Sequence, residues 1–234
     1  MRKHDVIVAA DFPTAADLEQ FLSELPGEKP FLKVGMELFY GAGPDLVRRL
    51  KTQDYRVFLD LKLHDIPNTV GSAMKVLRDL DVDMVNVHAS GGRKMMEAAR
   101  EGLTREDGTR PLLIAVTQLT STSQQMLEEE LLIDKPVEQV VAAYAKNVQA
   151  AGLDGVVCSP REVRAVKELC GEDFLTVTPG VRFADGEIGD QARVATPEQA
   201  KLDGSDFIVM GRPITRAQDP LAAYRQAMTD FGVR

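Results

Sequence analysis

Eight short apolar runs, separated by longer amphipathic stretches, recur from one end of this 234-residue chain to the other. The runs are VIVAA (6–10), FLKVGM (31–36), VFLDLK (57–62), MVNVHA (84–89), LLIAVTQL (112–119), GVVCS (155–159), FLTVTP (174–179) and DFIVMG (206–211). Most are apolar almost without interruption rather than alternating, the pattern of parallel strands covered on both faces. Between them Thr14–Leu25, Gly43–Thr52, Pro67–Leu80, Gly92–Thr104, Pro136–Ala151, Pro160–Cys170 and Thr196–Asp203 read as helices, and Pro220–Phe231 closes the chain. Several open on Thr, Ser or Pro, residues that start helices. Thr196-Pro197-Glu198-Gln199 combines a cap, a first-turn proline and a capping-box glutamine. Strands alternating with helices in this number favour an α/β fold closed as a (β/α)8 TIM barrel over an open doubly wound sheet. Such a barrel takes roughly 250 residues, and no linker or composition shift divides the chain. One catalytic domain over residues 1–234 is therefore expected.

Composition narrows the function. A formal net charge of −8 disfavours a general nucleic-acid binder, which is usually basic. It leaves room for an anionic small molecule, because a local cluster of Lys and Arg can dominate one cleft. Cys158, in a strand-like run, and Cys170, at a helix end, are expected as free thiols in a reducing compartment. With three His and two Cys lacking close spacing, there is no zinc template. The basic start MRKHDVIVAAD carries an apolar run too short for a signal peptide or a membrane span, with Asp11 interrupting it. A cytoplasmic protein without membrane partners is expected. Glu128-Glu129-Glu130 reads as a solvated helix surface.

The charges inside the strands carry the chemistry. Lys33 lies within FLKVGM, Asp60 and Lys62 within VFLDLK, and Asp11 ends the first strand. Charges in apolar strands are costly unless paired. Asp60 and Lys62, two apart, share one face, while Leu59, Leu61 and Leu63 share the other. In a barrel the leucines should meet the helices and the charged pair should line the interior near the C-terminal mouth, where these folds carry their chemistry. Asp65 follows just past the strand, in the loop before the next helix. One Asp–Lys pair alone could equally be a structural salt bridge. Two acids and two bases together exceed what a fold needs. Alternating Lys and Asp keeps both ammoniums protonated, which suits a reaction that builds negative charge on carbon and then protonates it.

A phosphate site is expected at the other end of the chain. Gly211 and Arg212 follow the last strand, Pro213 opens a possible short helix, and barrels hold phosphate in the loops after strands seven and eight. Gly211 lets the backbone approach an anion, and Arg212 can bind two of its oxygens. Residues 178–197, rich in Gly and Asp, read as a long loop of the kind that forms lids, supplying Arg182 and Gln191.

DLKLHDIPNTV (60–70) resembles the signature of the orotidine 5′-phosphate decarboxylases. The similarity continues through VAADF, FLKVGMELF, VNVHASGG, AVTQLTS, GLDGVVCS, TVTPGVR, DQARVATP and IVMGRPIT. It covers essentially the whole chain, in the family's order and in its compact bacterial form. The resemblance implies a lyase of pyrimidine biosynthesis that converts orotidine 5′-monophosphate (OMP) to UMP and CO2 with no cofactor and no metal. It implies Lys33, Asp60 and Lys62 in the catalytic array of one subunit, with Asp65 completing the array of a partner across a homodimer interface. Lys62 would protonate C6. Asp11 and Lys33 would hold the ribose hydroxyls, Thr69 would reach substrate in the partner's site, and Thr120 would contact the pyrimidine. Arg182, Gln191, Gly211 and Arg212 would surround the phosphate.

Other readings remain open at this level. Sugar-phosphate enzymes on the same barrel, such as 3-keto-gulonate 6-phosphate decarboxylases and hexulose-phosphate synthases, share the Asp-x-Lys-x-x-Asp pattern but use Mg2+, which Lys33 would repel. A catalytically silent barrel would not need the full charge array. A Schiff-base aldolase would be trapped by borohydride.

Overall fold

Each apolar run forms a strand, and the strands pair in sequence order until the last meets the first. The structure is a computed structural model that describes residues 4–184 and 195–233. β1 (Asp5–Ala9), β2 (Phe31–Gly35), β3 (Arg56–Leu63), β4 (Met84–His88), β5 (Leu112–Val116), β6 (Gly155–Val157), β7 (Leu175–Pro179) and β8 (Phe207–Met210) make a closed parallel barrel. Around it run α1 (Ala15–Ser23), α2 (Met36–Ala42), α3 (Pro44–Thr52), α4 (Pro67–Arg78), α5 (Arg93–Leu103), α6 (Val137–Ala150), α7 (Val163–Cys170), α8 (Pro197–Leu202), α9 (Arg212–Thr215) and α10 (Pro220–Phe231). The expected TIM-barrel architecture is the observed one. Among the described residues no helix is long and apolar enough to cross a membrane.

Side-chain alternation along the strands builds two apolar layers. Ile7, Ala9, Phe31, Phe58, Met84, Ile114, Val177, Phe207 and Val209 fill the barrel interior. Val6, Val8, Leu32, Val34, Leu59, Leu61, Val85 and Val87 face outward and pack with the helices. Leu59 and Leu61 do meet the helices, with the half-buried Leu63 packed against the same layer.

The element boundaries differ from the sequence reading mostly at the mouth of the barrel. LLIAVTQL pairs only as far as Val116, and Gln118, Leu119 and Thr120 turn out to line a cavity. DFIVMG stops at Met210, and FLKVGM stops at Gly35 because Met36 already begins α2. The sequence pattern assigned no element to residues 37–42. α2 is seven residues long and buries Leu38, too short to display a helical period. The segment 160–170 starts with a 3-10 turn, Pro160–Glu162, before α7 begins. The acidic run at 128–130 is exposed, as expected, in a π-helical turn, Met126–Glu130. Cys158 is buried, Cys170 is half-buried at the end of α7, and both are free thiols.

At the N-terminal end of the barrel a repeated device sets strand register. Asp83, Asp154 and Asp206 each directly precede a strand, and each accepts the N–H of the second residue of the strand before it. The contacts are Val57 N to Asp83 Oδ2 at 2.8 Å, Leu113 N to Asp154 Oδ2 at 2.7 Å and Thr176 N to Asp206 Oδ2 at 2.8 Å. A cation covers each carboxylate: Lys51 at 2.6 Å from Asp83, Arg110 at 2.8 Å from Asp154 Oδ1, and Lys167 at 2.7 Å from Asp206. The Lys167–Asp206 pair is the most enclosed of the three, with side chains 6% and 8% exposed. Lys167 Nζ also donates to the carbonyls of Glu172 and Phe174. Removing one partner of such a pair leaves an uncompensated buried charge. Lys167→Met should therefore destabilise the protein by about 3–5 kcal/mol, read as a lower urea midpoint, whereas Arg48→Met at the exposed Asp45 pair should cost under about 1 kcal/mol.

Candidate active site

The charges of β2 and β3 converge at the opposite, C-terminal end of the barrel. Lys33 lies in β2 opposite Ala9 and Phe58, both interior residues, so its side chain starts inside the barrel. Its Nζ reaches upward to Asp11 Oδ1 at 3.0 Å and Asp60 Oδ2 at 3.2 Å. Asp60, one layer higher on β3, is 7% exposed and holds Lys62 Nζ at 2.7 Å on its other oxygen. Gly35 stands across from Asp60 in the register. A Cβ there would lie 3.3 Å from Asp11 Oδ1 and 3.4 Å from Lys33 Nζ, so a side chain at this position would crowd the ion pair.

The local electrostatics follow from this row. Burial alone would push the Lys33 pKa down, but the charges of Asp60 and Asp11 and their hydrogen bonds outweigh it, and the pKa is raised above 10.5. Burial likewise opposes ionisation of Asp60, yet Lys33, Lys62 and hydrogen bonds from Lys62 and Asn86 hold its pKa below 3.8. Asp60 and Lys33 are thus both charged at neutral pH. His88, at the end of β4, sits with its ring 5.6 Å from that of His64. Burial, and then the charges of His64 and Lys62, hold its pKa below 6.5.

Around the row opens a cavity of about 500 Å³, within the range of small-molecule sites. Asp11, Lys33, Asp60 and Lys62 line it together with Thr120, Arg182, Gly211 and Arg212. Val116, Val157, Val177 and Val209 supply an apolar wall. Gly211 directly follows β8, where a Cβ would come 3.3 Å from Ala9 Cβ, so the lack of a side chain keeps this edge of the cavity open. Arg182 follows β7, its N–H donating to Ala195 O at 3.0 Å, and Val181 bridges Ala195 in parallel. Gln191 and half of the segment read as a lid, residues 185–194, lie outside the described residues. Asp65 and Thr69 do not line this cavity. They lie in a neighbouring depression with Tyr40, Lys62, His64 and Val70, and both are exposed. Asp65 thus does not join the array within its own chain: its Oδ1 accepts the Ile66 N–H at 2.6 Å instead.

Further polar participants are not singled out by the sequence pattern. Glu37, Gln118, Thr215 and Arg216 also line the cavity. Asn86 lies beneath it on β4, donating from Nδ2 to Asp60 Oδ1 at 2.6 Å and accepting Lys62 N–H on Oδ1 at 2.8 Å. Its signal was available: a polar residue in an apolar run, at the same parity as an interior methionine.

Residues 4–227 match the family model of the Orotidine 5′-phosphate decarboxylase / HUMPS family. The chain belongs to this family. Among its relatives, an orotidine 5′-phosphate decarboxylase from Geobacillus thermodenitrificans is 59% identical over 228 residues, covering 96% of this chain and 95% of that protein. One of the same name from Bacillus cereus is 57% identical over 223 residues, covering 94% of each. The crystal structure of orotidine 5′-phosphate decarboxylase from Lactobacillus acidophilus superposes with a TM-score of 0.88 at 45% identity, covering 98% of this chain and 100% of that one. An uncharacterized conserved protein from Geobacillus kaustophilus superposes with a TM-score of 0.86 at 50% identity, covering 97% and 99%.

The charged row makes a stability signature that can be measured. Because Asp60 is held below 3.8 in the folded chain, it contributes stability that is complete above that value and is lost as pH falls through the folded pKa. Lys33→Ala removes the largest charge that lowers Asp60. The variant should be less stable near pH 7, and should lose less further stability than the parent as pH falls below about 3.8. Urea unfolding at a series of acid pH values reads both effects, and equal acid slopes in the two proteins would disprove the coupling.

Proposed function

We propose that the chain is a lyase that decarboxylates OMP to UMP and CO2, without a cofactor, at the last step of pyrimidine biosynthesis. The observation that carries this reading is the row Lys33–Asp60–Lys62 on the floor of the cavity, with both Asp60 oxygens engaged by ammoniums. The family relatives named above carry the activity in their names. A divalent metal at Asp60 would have to displace an ammonium, which favours this reading over the Mg2+-dependent sugar-phosphate chemistry that shares the Asp-x-Lys-x-x-Asp spacing.

In the proposed reaction the bond from C6 to the carboxylate carbon breaks and CO2 leaves. The electron pair stays in the ring plane at C6, where the π-system delocalises it poorly. Lys62 faces that position, stabilises the developing charge, and transfers a proton from Nζ to C6. Water then returns a proton to Lys62. Asp60, sharing an oxygen with Lys62, holds the ammonium in place, and Lys33 with Asp11 takes the ribose hydroxyls. Thr120 meets the pyrimidine. Arg182, Gln191, Gly211 and Arg212 take the phosphate; the first and the last of these stand with Arg216 on the β7–β8 side of the cavity, a concentration of guanidiniums suited to a dianion.

Asp65 and Thr69, exposed beside Lys62 yet outside their own cavity, would enter the site of a second subunit in a homodimer, completing a Lys-Asp-Lys-Asp array there. The chain would act as one domain, in the cytoplasm, on a small-molecule substrate, with neither nucleic acid nor membrane as partner.

Loss of OMP absorbance tests the activity directly. Turnover should be unchanged in EDTA, and absence of turnover, or its abolition by the chelator, would overturn the reading. The shared site has its own signature. Lys62→Ala and Asp65→Asn should each abolish turnover as pure proteins. Mixed after dissociation and reassociation, they should regain about a quarter of parental activity, since half the dimers are hybrids with one intact site of two. No recovery in hybrids shown to have formed would argue that Asp65 serves its own chain.

A further inference from the structure

Asn86 occupies the interior of the barrel with 1% of its surface exposed. Met84 on the same strand belongs to the interior cluster, while Val85 and Val87 belong to the outer layer. A carboxamide buried there is costly unless both its ends are bonded. Both are: Nδ2 faces Asp60 Oδ1, and Oδ1 faces the Lys62 N–H. The reverse orientation would set a carbonyl against a carboxylate and an amine against an N–H, so the neighbours fix which way the amide points.

The backbone opposite shows what this amide replaces. β3 and β4 pair at Leu59↔Val85 and next at Leu63↔Val87, so residues 60–62 of β3 stand against Asn86 alone on β4. Within that bulge Lys62 has φ +52°, a left-handed conformation that is unfavourable for a side chain without a local compensation. Bulges leave a ladder group unpaired and re-aim a side chain. Here the unpaired group is the Lys62 N–H, and it is taken by the Asn86 side chain.

We propose that Asn86 is a positioning residue that holds the β3 bulge and thereby aims the Lys62 ammonium. Three hydrogen bonds close a circuit: Asn86 to Asp60 at 2.6 Å, Lys62 Nζ to the same Asp60 oxygen at 2.7 Å, and Lys62 N back to Asn86 at 2.8 Å. Asn86 is not among the residues that line the cavity; it acts through Asp60 and Lys62, which are. The inference deepens the proposed decarboxylase reading and rests on Lys62 being the proton donor.

The test compares the parent with Asn86→Leu, which keeps most of the volume and removes both hydrogen bonds. A misplacement of about 1 Å at a reacting group costs on the order of 100-fold in rate, so kcat for OMP should fall by about that factor. Affinity for UMP, measured calorimetrically, should change less than about threefold, because the phosphate and ribose contacts lie elsewhere. Hydrogen exchange in the absence of any ligand should show the Lys62 amide at least about tenfold faster, with the amides of β5 to β7 unchanged. Retention of kcat within about threefold, or an unchanged Lys62 amide, overturns the proposal. So does a general rise in exchange across the barrel with loss of UMP affinity, which would mark a structural role. If Asn86→Leu fails to fold, Asn86→Ser is read by the same criteria. Failure of the parent to turn over OMP would refute the decarboxylase reading, while the Lys62 amide would still decide whether Asn86 holds the bulge.

Discussion

A carboxylate that is almost fully enclosed has to be compensated on every side, and at Asp60 the compensation organises the mouth of the barrel. One oxygen takes Lys33; the other takes Lys62 and the amide of Asn86. Each ion pair near 4 Å is worth about 4 kcal/mol at an effective dielectric of about 20, enough together to reverse the burial cost and depress the pKa. The neighbouring features fit that demand. Gly35 has no side chain where the Lys33 ammonium and Asp11 meet. β3 is the longest strand described, with its bulge at the level of Asp60 and Lys62.

The two ends of the barrel use the same pairing of acid and base for different purposes. At the N-terminal end Asp206 accepts a backbone N–H, a threonine hydroxyl and an ammonium, all from the protein. That arrangement is saturated and serves register. At the C-terminal end the cations Lys33 and Lys62 also line a cavity of about 500 Å³. Their remaining hydrogen-bonding capacity points where a ligand can sit. The chemical difference between a structural salt bridge and a site is therefore not the residue types, which are shared. It is whether the donors are used up inside the protein.

Much of this was legible in the chain because burial on both faces forces parallel strands to be apolar throughout, so Lys33, Asp60 and Lys62 stood out against their own strands. The alternation of Leu59, Asp60, Leu61 and Lys62 fixed which face was which. What escaped has a common cause. α2 is too short to show periodicity. Asn86 is polar but uncharged, and its part depends on a neighbouring strand whose register cannot be read locally. The left-handed backbone of Lys62 leaves no trace in residue type, since Gly or Asn would be the expected occupants of such a position. Arg216 lies one turn beyond Arg212, and its place in the cavity emerges only once α9 is seen to be a single short turn.

The fixed charges by themselves are not sufficient for the proposed reaction. Enzymes that reach the upper range of acceleration lower the barrier by up to about 23 kcal/mol, and one ammonium beside a developing carbanion supplies about 4 kcal/mol. The cavity shows where the balance can originate. Its arginines stand on the β7–β8 side, while the Lys–Asp row stands on β2 and β3. A substrate that spans both must carry its anionic handle away from the reacting carbon. In the proposed reaction, binding at the arginine side would fix the ring over Lys62 without any contact to the bond that breaks, which is how remote binding energy is converted into orientation at the reacting centre. On that reading the Lys62 ammonium has to be aimed by the protein itself. A ligand held from its far end can correct a misplaced lysine no better than it can correct its own ring, so the proposed role of the bulge in β3 and its partner on β4 is to set that geometry before anything binds.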